Sequence, residues 1–356
     1  MKNNQRIVFL GTPAFAVLPL QSIVEAGYNV VAVVTNRDKK AGRKNILTPP
    51  PVKTYALSQN IPVYQYDKIR AEGVEDMKAL APDLMITCAF GQILSQEILD
   101  IPRLGVYNVH GSLLPKFRGA SPVQAAVLCG EKQTGITVMK TEVGLDSGDL
   151  LLKKSLPIRR ETSDELFEKL SALGAEAILE ALPLILSGTP HLEQQDPDQV
   201  TRTGLIRKED SFIDWQKSAW EIDCFVRGMF SSPGARTLLS GEEVKILAGY
   251  GEKRLSLQEN TACSDENNRT YDQNRAGCES CGLSDRGGTY APGTVISAGK
   301  GGVFVACGKG GKEIFRLDTV QFPGGKAVSA GDAALGRKLL AGQVFSVPEK
   351  PEKAEA

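Results

Sequence analysis

The sequence predicts an α/β domain built on a mostly parallel sheet, followed by a small C-terminal β-barrel domain. Three observations carry this. Strand-like apolar runs alternate with helix-like segments through the first half of the chain, the pattern of βα units on a parallel sheet. Beyond residue 209 the apolar runs become short and are punctuated by glycine, as in small barrels. The 356 residues are about twice the usual single-domain size, enough for two cores.

The elements follow in order. RIVFLG (6–11) reads as a strand and precedes a helix over 13–26; NVVAVVT (29–35) precedes one over 52–58. DLMITCA (83–89) precedes a helix over 95–99, and LGVYNV (104–109) one over 121–129. Two later strands, 134–141 and 149–155, flank a turn rich in Gly and Asp. A long amphipathic helix from about Ser163 to Ser187 completes a first domain, 1–190. Over 191–208 the periodicity fades, so a linker is expected. The second domain, 209–346, opens with SFIDWQKSAWEIDCFVRGM, whose spacing suits a helix from about Ser218. It continues as strands near 236–249, 292–307 and 312–320. Residues 252–290 are too poor in large apolar side chains for a core and read as a polar loop insertion; the tail, 347–356, reads as disordered.

Composition narrows the class. A hydrophobic share of 42% with 24% charged residues excludes fibres and low-complexity polymers. The longest apolar runs, such as Val30 to Val34 and Ala181 to Leu186, fall far short of the roughly 20 residues of a membrane span. MKNNQRIVFLG has no signal-peptide core, so the expected location is the cytoplasm, with no membrane partner. Seven cysteines is an odd number, and Cys88, Cys129, Cys224 and Cys307 sit in apolar stretches, which fits a reducing compartment. Cys278 and Cys281 form one C-x-x-C with Cys263 upstream, but structural zinc takes four ligands and neither His110 nor His191 is near in sequence; no metal is expected. Lys+Arg and Asp+Glu both number 42, so a polyanion would have to be held by local basic patches.

The candidate chemistry sits at the end of VYNVH. Alternate strand residues share a face, so Asn108 and His110 point the same way, beyond the carboxyl end of a strand, where open α/β sheets bind ligands. An amide and an imidazole there can donate to an oxyanion and move a proton. Asp146, in EVGLDSGD, supplies a carboxylate that would orient the ring. The bland alternatives are a hydrogen-bonded surface histidine and an Asp that only shapes a turn. FLGTPAF lacks G-x-G-x-x-G spacing and no acid ends the second strand, which speaks against a nicotinamide cofactor. Thr12 and Pro13 read as N-cap and first helical residue, and Gly11 leaves room for a ligand. Arg37, Lys39, Lys40, Arg43 and Lys44 face one acid, Asp38, in a loop that either meets phosphates or is simply solvated. Seven basic residues against three acids over 291–346 make a basic barrel, a frequent nucleic-acid platform.

GTPAFA (11–16), AGR (41–43), NVHGSLLPKFRGASP (108–122), GLDSGD (144–149) and KEDSFIDW (208–215) together resemble the methionyl-tRNA formyltransferase family, in order over nearly the whole chain. The resemblance implies a Rossmann-like formyltransferase domain and an OB-like tRNA-binding domain. It implies transfer of the formyl group of 10-formyltetrahydrofolate, a folate donor and cosubstrate, to the methionine of initiator methionyl-tRNA. Asn108, His110 and Asp146 then match the catalytic trio. Ser112, Leu113, Leu114 and Pro115, with Phe90, Gly91 and Ile93, match the folate site, and Arg43 with Arg37, Lys39, Lys40 and Lys44 matches the contact to the tRNA acceptor end. A monomer is expected. Two departures stand out: FSSPGA (230–235) lacks the tryptophan of the family's N-P-W-P-G-A segment, and the 252–290 insertion is longer than the family's loop. Glycinamide ribonucleotide and sugar-nucleotide formyltransferases resemble the same trio but leave the basic loop and barrel without a use, and an RNA-binding module without catalysis would not need the trio.

Overall fold

A computed structural model describes residues 4–41, 45–252 and 290–348. Residues 253–289 and 349–356, on which nearly all of the expected insertion and tail fall, lie outside the described residues, as do Arg43, Lys44, Cys263, Cys278 and Cys281. The chain forms two compact units, one of residues 1–126 and 131–205, the other of 127–130 and 206–356.

The first unit runs β1 (Ile7–Gly11), α1 (Val17–Glu25), β2 (Val30–Asn36), β3 (Lys39–Ala41), β4 (Ile46–Thr48), α2 (Pro51–Ser58), β5 (Val63–Tyr66), α3 (Ile69–Glu72) and α4 (Val74–Leu80). It continues with β6 (Leu84–Cys88), α5 (Gln96–Leu99), β7 (Val106–His110), β8 (Arg118–Gly119), α6 (Pro122–Leu128), β9 (Gln133–Lys140), β10 (Leu150–Pro157), α7 (Ser163–Leu186) and β11 (Arg202–Thr203). The sheet has the order β10-β9-β7-β6-β1-β2-β5. Strands from β5 to β7 are parallel, and the β9–β10 hairpin adds on antiparallel. After β1 the chain goes to β2 on one side and later returns to β6 on the other, so the order reverses there and opens a crevice at the carboxyl ends.

Burial explains the apolar strands. All five residues of β1 are buried. Val8, Leu10, Ala32, Val34 and Met85 pack with Ile69, Met77 and Ile98 on one side, while α7 packs against β9 and α1 elsewhere. Full burial of each large side chain stabilises by roughly 1.5–3 kcal/mol. Thr162 starts α7 with a capping box: its hydroxyl accepts the Glu165 N–H at 3.3 Å, and the Glu165 carboxylate accepts the Thr162 N–H at 2.8 Å.

In the second unit come α8 (Ala219–Gly228), β12 (Ala235–Leu239), β13 (Glu242–Glu252), β14 (Val295–Gly299), β15 (Gly302–Cys307), β16 (Glu313–Gln321), β17 (Ala327–Ser329), α9 (Ala330–Leu335) and β18 (Phe345–Ser346). The antiparallel order is β14-β15-β16-β13-β12-β18, with β17 on β16. A bridge between Thr294 and Val344, with the Val295 N–H donating to the Gln343 carbonyl at 2.8 Å, brings the two ends of this order together. The sheet therefore curls into a small OB-like barrel. Trp215 stacks on Phe345 at 5.5 Å inside it and donates its indole N–H to Thr237 Oγ1 at 3.0 Å.

Three expectations change. The stretch read as a linker is bonded into the first unit as far as Thr203: Glu193 pairs with Leu150, and β11 pairs with β8. Its polar side chains hide this, because the pairing uses main-chain groups. Thr12 caps no helix: the first turn after it, Ala14–Ala16, has no side-chain cap. Its hydroxyl instead donates to the Phe90 carbonyl at 3.2 Å and accepts the Asn36 N–H at 3.4 Å, joining three strand ends. Gly11 leaves no space for a ligand, since a Cβ there would lie 2.7 Å from the Phe9 ring, 2.9 Å from Ala16 Cβ and 3.0 Å from the Cys88 carbonyl oxygen. Gly11→Ala should accordingly destabilise the protein by about 1–3 kcal/mol through overpacking. An unaltered urea-unfolding midpoint would show that the strand ends have slack.

Candidate active site

Asn108 and His110 are carried by β7, whose pairing with β6 sets Asn108 opposite Thr87. Thr87 Oγ1 donates to Asn108 Oδ1 at 2.9 Å, which fixes the amide so that Nδ2 turns the other way. That nitrogen donates to Asp146 Oδ1 at 3.4 Å. His110, 5% exposed, lies on the same face. Its Nε2 meets the Phe117 carbonyl at 3.1 Å and its Nδ1 faces Asp146 Oδ2 across 3.7 Å. A carbonyl only accepts, so the Nε2–H donates and Nδ1 is the ring atom turned toward the carboxylate. At 3.7 Å the two groups face each other with room between their atoms, without a direct hydrogen bond.

Asp146 sits in the β9–β10 turn with a left-handed backbone, φ +49°. Its Oδ2 also accepts the Gly119 N–H at 2.8 Å, so each carboxylate oxygen has a donor from the protein. Gln195 holds the turn from behind, its Nε2 donating to the Asp146 carbonyl at 2.9 Å and the Gly148 carbonyl at 2.8 Å. Arg118 holds Gln195 in turn, through Nε at 3.0 Å and Nη2 at 2.8 Å to Oε1. An amide donor, an imidazole and a carboxylate thus converge at the carboxyl end of the sheet, a set able to stabilise an oxyanion and accept a proton.

The SLLP run after β7 offers less side chain than its composition suggests. Ser112 is buried and its hydroxyl donates to the Lys116 carbonyl at 2.6 Å. Leu114 is buried against Met139 and Leu150, and Pro115 is buried as well, leaving Leu113 half-buried. Phe90 packs its ring in the core and spends its carbonyl on Thr12 and Asn36, while Gly91 and Ile93 are exposed. A ligand here would meet main-chain groups and the Leu113 and Ile93 side chains.

Lys39 and Lys40 are exposed on the β3–β4 hairpin. Arg37 is paired with Asp67 at 3.1 Å and Glu72 at 3.3 Å. Asp38 is turned inward: Lys53 Nζ donates to its oxygens at 2.8 and 2.9 Å and Gln65 donates at 2.9 Å, and the Lys53 and Gln65 bonds hold its carboxyl below the usual range. Beside the site, burial pushes the Cys88 thiol well above its ordinary value, which keeps it protonated. Among the described residues no group of three or more His, Cys, Asp or Glu could hold a metal ion, and no helix is long and apolar enough to cross a membrane.

Thr87, Phe117, Gln195 and Thr201 are parts of this site that the sequence reading does not single out. Thr87 carries a usable signal, being the one polar residue inside the otherwise apolar LMITC strand. Gln195 and Thr201 carry none, because a glutamine and a threonine in a polar stretch look like any loop residues.

Residues 5–182 match the family model described as formyl transferase, and residues 205–338 match formyl transferase, C-terminal domain. The methionyl-tRNA formyltransferase of Geotalea uraniireducens is 40% identical over 344 residues, covering 96% of this chain and 98% of that protein. The protein of the same name from Halorhodospira halophila is 40% identical, covering 95% and 98%. Among solved structures, WlaRD, a sugar 3N-formyl transferase, superposes with a TM-score of 0.58 at 17% identity over 88% of this chain and 98% of its own. HypX from Aquifex aeolicus in complex with tetrahydrofolic acid has a TM-score of 0.57 at 17% identity, covering 99% of this chain and 50% of that one. Likeness at this identity shows a shared fold.

The Phe117 contact dictates a tautomer. Nitrogen NMR at alkaline pH, where imidazole is neutral, should show His110 protonated on Nε2 with a bare Nδ1, with His191 as the second signal. A neutral ring protonated on Nδ1 would mean that Nε2 does not donate to Phe117.

Proposed function

The chain belongs to the methionyl-tRNA formyltransferase family, and on that premise we propose that it transfers the formyl group of 10-formyltetrahydrofolate to the amino group of methionine on initiator tRNA. The observation that carries this reading is the meeting of Asn108, His110 and Asp146 at the carboxyl end of the sheet. The folate-bound relative of the same fold supports the donor class.

The neutral amine attacks the formyl carbon, and the carbonyl oxygen takes up negative charge. The bond from that carbon to N10 of the folate then breaks as N10 takes a proton from protonated His110, which the amine's proton, passed on through Asp146, replaces. The amine gives up one proton, leaving the new amide and tetrahydrofolate. We assign the Asn108 Nδ2–H and the Nδ1–H that His110 carries when protonated to the developing oxyanion, where one lost donor typically costs about 10²–10³ in rate. Asp146 orients both groups and takes the amine proton, directly or through water. Thr87, by fixing the amide, keeps a donor rather than an acceptor facing the reaction centre. The free α-amino group has a reference pKa of about 7.7–8.0, so an appreciable share of the nucleophile is neutral near pH 7.

Folate is assigned to the surface formed by the SLLP run and the Phe90–Ile93 turn, reading Ser112, Leu114, Pro115 and Phe90 as shaping it and Leu113, Gly91 and Ile93 as touching it. The hairpin lysines, Lys39 and Lys40, with Arg43 and Lys44, are assigned to the acceptor end of the tRNA. Arg37 joins them only by exchanging its two carboxylates, a small cost for exposed pairs. The first unit is thus read as the formyl-transfer domain and the second as the tRNA-binding domain.

Two measurements test this. Formyl transfer from 10-formyltetrahydrofolate should occur on initiator Met-tRNA and fail on free methionine, with elongator Met-tRNA far slower; folate binding without transfer to any tRNA would move the acceptor to a small amine. His110→Ala should lower kcat about 10²- to 10⁴-fold while tRNA binding persists. Undiminished turnover in that variant would remove His110 from the mechanism.

A further inference from the structure

The segment 193–203 touches the site from two directions. From one, Thr201 Oγ1 accepts the Phe117 N–H at 2.8 Å, its carbonyl accepts the Arg118 N–H at 2.9 Å, and its own N–H donates to the Pro115 carbonyl at 3.3 Å. Phe117 has φ +60°, a left-handed conformation unfavourable for a bulky residue, and these bonds hold it there. Its carbonyl is the one that receives His110 Nε2–H. From the other direction, Gln195 spends both amide hydrogens on the Asp146 and Gly148 carbonyls, and its oxygen is gripped by Arg118. Asp146 is itself left-handed, so its turn also needs outside support. Directly after Thr201, β11 pairs with β8, and Gly119 of β8 donates to the Asp146 carboxylate. A Cβ on Gly119 would lie 2.1 Å from the Thr203 carbonyl oxygen, and its φ is +116°, so only glycine allows the strap to lie this close.

We propose that 193–203 is a strap of the active site, in which Thr201 and Gln195 are positioning residues: Thr201 sets His110 through Phe117, and Gln195 sets Asp146 through its turn. This rests on the reading of His110 and Asp146 given above. The alternative is a strap that only seals the fold, in which case its loss would act equally whether or not His110 is present.

A double-mutant cycle separates the two, with formyl transfer to initiator Met-tRNA as the rate and folate affinity measured directly by titration. Thr201→Val removes the acceptor at nearly constant volume and should lower kcat about 10- to 30-fold, since misplacement of a catalytic group is costly even when substrate binding survives. The KM for folate should stay within about 3-fold, and Thr201→Ser, which keeps the hydroxyl, should recover most of the rate. In a His110→Ala background Thr201→Val should change kcat by less than about 2-fold, because the group it positions is gone. Gln195→Glu keeps the volume and the acceptor for Arg118 but removes both donors; it should behave the same way against Asp146→Asn. Equal losses in both backgrounds for both strap residues would overturn the proposal while leaving the His110 reading intact. Wild-type kcat in His110→Ala would overturn both.

Discussion

The Asp146 carboxylate is the point on which the first unit's polar architecture depends. Its two oxygens face an amide from β7, an imidazole from the same strand and a main-chain N–H from β8, and its backbone is bonded by Gln195. A carboxylate held by several donors at once is satisfied without being consumed, because each contact is main-chain, long or shared. Remove the carboxylate and Gly119 N–H, Asn108 Nδ2 and His110 Nδ1 all lose their common partner. The β9–β10 turn, the short β8 strand and the strap exist in these positions because they deliver or support that one group.

Much of the fold is legible in the sequence because its cause is apolar periodicity. Five-residue runs such as IVFLG and LMITC are buried on both faces, so they read as strands without alternation. β5, VYQY, escapes that reading, because it lies at the sheet edge with most of its residues half-buried and carries a polar Gln. The long helix over 163–186 shows itself by its apolar stripe and is capped by Thr162 and Glu165. In the second domain the helix after Ser218 is legible, whereas α9, with three alanines and a leucine in six residues, has too short a pattern to register.

The site divides along the same line. Asn108 and His110 pair on one face by strand periodicity alone. No such periodicity ties Asp146 to them, since 36 residues separate it from His110 and their meeting depends on the antiparallel addition of β9. Main-chain roles are opaque: the Phe117 carbonyl, the Gly119 N–H and the β8–β11 pairing leave no trace in side-chain chemistry. Thr12 shows the opposite error, a residue whose local context spells a helix cap but whose hydroxyl is recruited by Phe90 and Asn36, far away in sequence.

The inward turn of Asp38 shapes how the hairpin presents its charge. With Lys53 neutralising that carboxylate at the root, the outward-facing field belongs to Lys39 and Lys40 without an acid of their own strand to cancel it. A nucleic acid arriving there would exchange its condensed cations for these ammonium groups, at roughly 0.7–0.9 of a cation released per phosphate neutralised. The gain would then be largely the mixing entropy of small ions, so the half-buried Asp38–Lys53 pair at the base of the hairpin would set how steeply such a contact weakens as the surrounding electrolyte thickens.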